Sequence, residues 1–197
     1  MLDLALAYAL AVHVHTAGVT TLLLLGDSHL AHLAEDHVRT LAAAGGADEV
    51  VRAAVGGATS LDLAGQLDQT PVERPVRVVI SVGANDAAPG DTHVSVPAYR
   101  AALDAVLDRL DGTAVVVLGP PPVDERRLEH DPDRTNAELA TYAAAARSAA
   151  TEHGGTYVDT ADALCSADAD VLVDDGLHLS RAGYEALLPV LTKVVAG

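Results

Sequence analysis

Short runs of leucine and β-branched residues alternate along this chain with Ala-rich stretches whose apolar positions recur at helical spacing. The runs predict strands over Thr20–Leu25, Glu49–Val55, Val76–Val82, Ala114–Leu118 and Thr156–Val158, each leading into a cluster of Gly, Pro, Asp or Ser that opens a loop. The Ala-rich stretches predict helices over Leu30–Ala44, Leu61–Leu67, Pro97–Leu110, Thr135–His153 and Ser180–Val195. Pro97 suits a first helical turn and Gly154-Gly155 a helix end. Strands that are apolar throughout and separated by helices specify a parallel sheet covered on both faces. With right-handed crossovers the expected fold is α/β, a three-layer α/β/α sandwich around a central parallel sheet in flavodoxin-like order, and its ligand site lies at the carboxyl ends of the strands. Residues 3–16 fit the scheme least well. Leu4, Leu6, Tyr8, Leu10, Val12 and Val14 alternate as in a strand, whereas the alanines between them favour the helix we expect there.

A chain of 197 residues is the size of one domain, so 1–197 is read as a single unit with 1–18 as an N-terminal extension. With no Phe, no Trp and five Tyr, its core must be built from Ala, Val and Leu, and aromatic platforms for stacking sugars or bases are scarce. The formal charge of −16, with Lys193 the single lysine, repels phosphate backbones and anionic bilayers, so neither nucleic acid nor membrane is an expected partner. The acidic composition fits adaptation to high salt and fits equally a GC-rich coding bias. Cys165 is alone and cannot form an internal disulfide, and no Cys/His spacing matches a zinc site. Residues 2–25 are largely apolar but include Asp3, His13 and His15, and no Lys or Arg precedes Arg39, so the positive start of a secretory signal is missing. A soluble, cytoplasmic protein is the expectation.

Four short blocks carry chemistry. The first strand runs into Gly26-Asp27-Ser28-His29 at the start of a helical pattern, which exposes a serine hydroxyl at the sheet's edge and suits a nucleophile. Taken alone, the tetrapeptide reads more often as a helix N-cap. Near the carboxyl terminus stands Asp175-Gly176-Leu177-His178. A serine needs an imidazole to take its proton and a carboxylate to fix that imidazole's tautomer, and Asp three residues before His can supply both, although such a string is as often a solvated acidic turn. Gly83-Ala84-Asn85-Asp86 follows the third strand and offers a side-chain amide to an oxyanion. Gly56-Gly57-Ala58-Thr59 follows the second, where glycine lets a backbone N–H approach closely. Glycine and asparagine also populate any turn after a strand.

In this order and placement, the four blocks resemble the SGNH (GDSL-type) hydrolase family over residues 20–195. Gly119-Pro120-Pro121-Pro122, closing the fourth strand, is similar to the family's corresponding loop. The resemblance implies a serine esterase with Ser28 as nucleophile, His178 as general base and then acid, and Asp175 orienting it. It implies oxyanion donors from the Ser28 and Gly57 backbone N–H groups and the Asn85 side chain. Gly57 is preferred to Gly56 because the family's glycine stands two residues before a Ser or Thr, here Thr59. An Asn often found upstream in that block has no counterpart, Arg52 lying near its place.

The implied reaction is acyl transfer through an acyl-enzyme, with no metal or organic cofactor. Short loops leave little room for a lid, so short-chain esters are expected, such as acetyl esters of carbohydrates or small alcohols. An O-acyltransferase acting on a carbohydrate is the nearest alternative, and a non-catalytic binding protein a more distant one. Among the remaining candidates, Asp174 is read as a solvated neighbour. His29, His32 and Asp36 share related faces of the expected first helix and are read as surface groups before a metal site. Asp124–Arg134 is the most charged stretch and is read as an exposed loop at the rim, in which Arg126 and Arg127 could meet an anionic substrate. Cys165 is read as a small core or loop residue.

Overall fold

Leu22, Leu23, Leu24 and Leu25 are all fully buried, which requires cover on both faces of the strand that carries them. The computed structural model describes residues 19–197 apart from 71, 73–74, 76, 129–133, 166 and 168–169. The helix expected over 3–16, the start of the third strand at Val76 and the middle of the 124–134 loop lie outside the described residues.

Five parallel strands, β1 (Thr21–Gly26), β2 (Glu49–Arg52), β3 (Arg77–Ser81), β4 (Ala114–Leu118) and β5 (Thr156–Val158), form one sheet in the order β2-β1-β3-β4-β5. The helices are α1 (Ser28–Ala31), α2 (Glu35–Gly45), α3 (Leu63–Asp68), α4 (Val96–Arg109), α5 (Asn136–Glu152), α6 (Thr160–Leu164) and α7 (Arg181–Ala196). Successive strand residues point to opposite faces. Leu23, Leu25, Val78, Ile80, Val115 and Val117 pack with α3, α4 and α5. Leu22, Leu24, Val79, Val116, Leu118 and Val158 pack with α2, α6 and α7. Each fully buried leucine contributes about 1.5–3 kcal/mol relative to exposure, which lets an Ala/Val/Leu core stand without Phe or Trp. Its two fully buried tyrosines, Tyr99 and Tyr142, meet edge to face at 5.1 Å. Their hydroxyls donate to the carbonyls of Val82 and Val94, so neither polar end is stranded.

Strand order reverses between β1 and β3, and the crevice at such a switch point is where α/β sheets bind ligands. Residues following β1, β2 and β3 therefore converge at one end of the sheet.

The structure departs from the sequence expectation at three places that shape this end. The helix expected over Leu30–Ala44 is two helices, α1 and α2, separated by His32–Ala34. Arg52 is the cause: its Nη1 donates to the carbonyls of Ala31 and Leu33, at 3.2 and 3.0 Å, in place of helical N–H groups, and its Nη2 pairs with Glu35. Second, β2 ends at Arg52 and not at Val55. The Ala53 and Val55 N–H groups still reach the carbonyls of Leu24 and Gly26, but Val55 is 58% exposed as the chain leaves the edge of the sheet for the Gly56-Gly57 turn. Third, α6 was not expected; Asp159 caps it by accepting from the Asp162 N–H.

Candidate active site

The turn between β1 and α1 is tight because of Gly26, whose φ is +128° and where a Cβ would lie 1.8 Å from the Ser81 carbonyl oxygen. Only glycine fits there. Gln66, a buried side chain on α3, grips the same residue: its Oε1 accepts from the Gly26 N–H at 2.7 Å and its Nε2 donates to the Gly26 carbonyl at 2.8 Å. Asp27 then donates its N–H to Ser81 O, and its carboxylate accepts from the His29 N–H and the Ser81 hydroxyl. Ser28 is thus fixed at the first residue of α1.

The Ser28 hydroxyl lies 3.0 Å from His178 Nε2, and His178 Nδ1 lies 2.7 Å from Asp175 Oδ2. The second Asp175 oxygen accepts from the backbone N–H groups of Leu177 and His178 at 2.8 and 3.0 Å. Partial burial pushes the Asp175 carboxyl up, but the His178 ring and those two N–H groups outweigh it and hold the pKa at about 2. The carboxylate is therefore ionised across the range in which an imidazole titrates. Asp174 is exposed, and the partner of the imidazole is Asp175, three residues before it.

An antiparallel bridge between Leu172 and Leu179 pinches the base of the loop that carries Asp175 and His178, and Val173 N–H donates to His178 O. The 124–128 segment braces the same loop. Asp124 N–H donates to Gly176 O, and Arg127 donates to the Asp170 carboxylate and the Val173 carbonyl. Arg127 is thus engaged in holding the loop, while Arg126 is exposed and pairs with Asp124. The stretch is not uniformly solvated: Leu128 and Arg134 are buried.

Gly56 comes beside Ser28, where a Cβ on it would lie 3.9 Å from Ser28 Cβ, and Gly57 follows it in the same turn. Gly57 has φ +80°, a conformation that costs glycine nothing. Asn85 follows β3 and donates one Nδ2 hydrogen to the Ala58 carbonyl at 2.9 Å, leaving the second for a ligand. Asp86 secures the same junction: it is fully buried and accepts from the Ser60 N–H and hydroxyl, the latter at 2.6 Å. Burial raises its pKa, and the Ser60 bonds oppose that. The second and third glycine blocks are in this way tied into one wall. From it an open groove of about 710 Å³ runs along α3, walled by Val55, Leu61, Gly65 and Gln69. Asn85→Ala should lower turnover about 10²–10³-fold while leaving circular dichroism unchanged, the loss expected of one oxyanion donor. Near-normal turnover in the folded variant would reduce Asn85 to a tie between two loops.

The structure thus brings Ser28, Asp175 and His178 together, with Gly56 against Ser28 and Asn85 tied to the same glycine block through Ala58. It separates the three groups read as surface positions of one helix. His32 is exposed, with its ring 5.4 Å from that of His178, and Asp36 pairs with Arg181. His29, by contrast, is buried at 4% exposure. It remains on α1 with His32, that helix's C-cap residue, and its ring faces Asp27 and the Leu177 carbonyl, while the break before α2 parts Asp36 from both. Among the described residues no group of three or more His, Cys, Asp or Glu is arranged to hold a metal, and no helix is long and apolar enough to cross a membrane. Cys165 is exposed at the end of α6. Sequence reasoning missed Gln66 and placed Arg52 only near the position of the family's Asn, without its bonds to the Ala31 and Leu33 carbonyls. The signal for Gln66 was a polar residue where the spacing asks for an apolar one.

A GDSL esterase/lipase from Arabidopsis thaliana is 29% identical over 141 residues, which cover 61% of this chain and 58% of that protein. The match thus spans less than two thirds of that relative. Among solved structures, a lipase/acylhydrolase from Enterococcus faecalis superposes with a TM-score of 0.79 at 27% identity, over 91% of this chain and 96% of that one. An acetylxylan esterase from Geobacillus stearothermophilus superposes with a TM-score of 0.71 at 21% identity, over 90% of this chain and 94% of its own, and shares the fold. The model of the GDSL-like lipase/acylhydrolase family matches residues 16–186, and the chain belongs to that family.

Proposed function

We propose that this protein is a serine esterase that hydrolyses short-chain, chiefly acetyl, esters through an acyl-enzyme. The observation that carries the reading is the unbroken relay from Ser28 Oγ to His178 Nε2 and from His178 Nδ1 to Asp175, at 3.0 and 2.7 Å. Ser28 Oγ attacks the ester carbonyl as its proton passes to His178 Nε2, and Asp175 stabilises the imidazolium that forms. The tetrahedral oxyanion is met by the N–H groups of Ser28 and Gly57 and by the free Asn85 hydrogen. As the carbon–oxygen bond to the alcohol breaks, His178 returns its proton to the departing oxygen. Water then enters, gives a proton to His178 and adds to the acyl carbon, and Ser28 leaves with that proton to complete the cycle.

The open groove beside Gly57 supports a small alcohol or carbohydrate as the leaving portion, with the exposed faces of Val55 and Leu61 offering apolar contact. The acetylxylan esterase, alike in fold, is consistent with this but fixes no substrate. The charge of −16 disfavours anionic esters.

A series of p-nitrophenyl esters tests the reading. kcat/KM should be highest for acetate to butyrate and fall at least tenfold by octanoate. Absence of hydrolysis across the series would remove the esterase reading, and a maximum at octanoate would remove the short-chain one. The same assay with a xylo-oligosaccharide acceptor separates hydrolysis from transfer. Acetylated sugar formed in preference to acetate would make the protein an O-acyltransferase.

A further inference from the structure

His29 follows the nucleophile yet takes no part in the relay. Its ring is buried, with Nδ1 3.3 Å from the Asp27 carboxylate and Nε2 3.5 Å from the Leu177 carbonyl. Both nitrogens thus face an acceptor. A neutral imidazole carries one proton and would turn a lone pair toward one of these oxygens, an unpaired contact that is costly away from water. Only the imidazolium satisfies both. We propose that His29 is a positioning residue, held as a buried imidazolium that clamps the Asp175–His178 loop to the nucleophile turn through Leu177.

Leu177 immediately precedes His178, so the bond to its carbonyl sets the height of the general base above Ser28. Apart from the reacting pair itself, it is the side-chain bond between the nucleophile turn and that loop among the described residues. The turn is fixed in its own right: the Tyr184 hydroxyl on α7 donates to the His29 carbonyl at 3.0 Å, and Asp27 is held by Ser81 on β3. The charged and titratable groups around the ring are few. Burial and Arg134 disfavour its proton, the Asp27 carboxylate and the Leu177 carbonyl favour it, and the balance raises its pKa. The His178 ring lies 6.0 Å away.

The proposal rests on the esterase reading, and two variants and one spectrum test it separately. The amide nitrogen of Gln occupies the place of histidine Nε2, whereas that of Asn occupies the place of Nδ1. His29→Gln keeps the bond to Leu177 and should hold kcat within about threefold. His29→Asn keeps only the bond to Asp27 and should lose kcat by about tenfold or more, with KM little changed, since loss of reacting geometry acts on the chemical step. Circular dichroism and thermal melting establish that each variant is folded. In the wild type, long-range ¹H–¹⁵N correlation at neutral pH should show both nitrogens of one histidine protonated, in a pattern absent from both variants. A neutral tautomer at His29, or equal kcat in the folded Gln and Asn variants, would overturn the clamp. Fluorophosphonate labelling of Ser28 in the wild type distinguishes that outcome from failure of the esterase reading, under which Ser28 itself would be unreactive.

Discussion

Ser28→Ala should yield a folded protein that takes up no fluorophosphonate and hydrolyses esters about 10⁶-fold more slowly, the loss typical when the nucleophile of a serine relay is removed. The size of the effect follows from what the hydroxyl does and what it does not do. Its bonding partner is His178 Nε2, on a half-buried ring that water can reach. Its removal therefore leaves no buried polar group stranded, and the stability cost should stay within about 0.5–1.5 kcal/mol. The turn depends instead on Gly26, Asp27 and Gln66, whose bonds the substitution leaves in place. Two other serines sit close enough in sequence to the motifs to be rivals. The Ser60 hydroxyl is buried and donates to Asp86, and that of Ser180 donates to the Asp170 carbonyl while capping α7. Among the described residues, neither hydroxyl is hydrogen-bonded to an imidazole. Intact-mass analysis should show one adduct in the wild type and none in Ser28→Ala. An adduct that survives and maps to Ser60 or Ser180 would move the nucleophile and with it the whole mechanism.

The grouping of Ser28, His178 and Asp175 was legible in the sequence because each sits in a short segment whose local chemistry is self-sufficient. Ser28 needs a strand to end and a helix to begin, and Asp175 reaches His178 within a single turn. Sheet order was legible because strands apolar on both faces and separated by helices admit few arrangements. What stayed hidden depends on pairs of residues far apart in the chain. Gln66 grips a glycine 40 positions earlier, and Arg52 takes the Ala31 and Leu33 carbonyls across the gap between β2 and α1. A periodicity argument sees a buried Gln on a helix or an Arg at a strand end only as a lapse in pattern. The misplacement of His29 has the same origin. His29 stays on α1 with His32 as C-cap, but its ring contacts the Leu177 carbonyl, 148 positions later in the chain, a contact that helical spacing cannot reveal. The residue near the place where the family often has an Asn is thus the one that shapes the backbone just after the nucleophile.

Asp175→Asn should lower kcat by about 10⁴-fold, and Asp174→Asn should leave it within about twofold. An asparagine at 175 can keep its Oδ1 bonds to the Leu177 and His178 N–H groups, so the loop retains its shape and the effect is one of proton placement. Its amide donates to Nδ1, which obliges the imidazole to carry its proton on Nε2, facing Ser28 and unable to accept from it. The pH profile adds a second check. The native Asp175 carboxyl, at a pKa of about 2, is ionised throughout the neutral range. Activity should rise with pH because attack needs a neutral imidazole, and no second acid limb from Asp175 accompanies that rise. The slope on the acid side should correspond to one proton. A two-proton slope, or an Asp174→Asn variant as impaired as Asp175→Asn, would show that the carboxylate acting on His178 is not the one three residues before it.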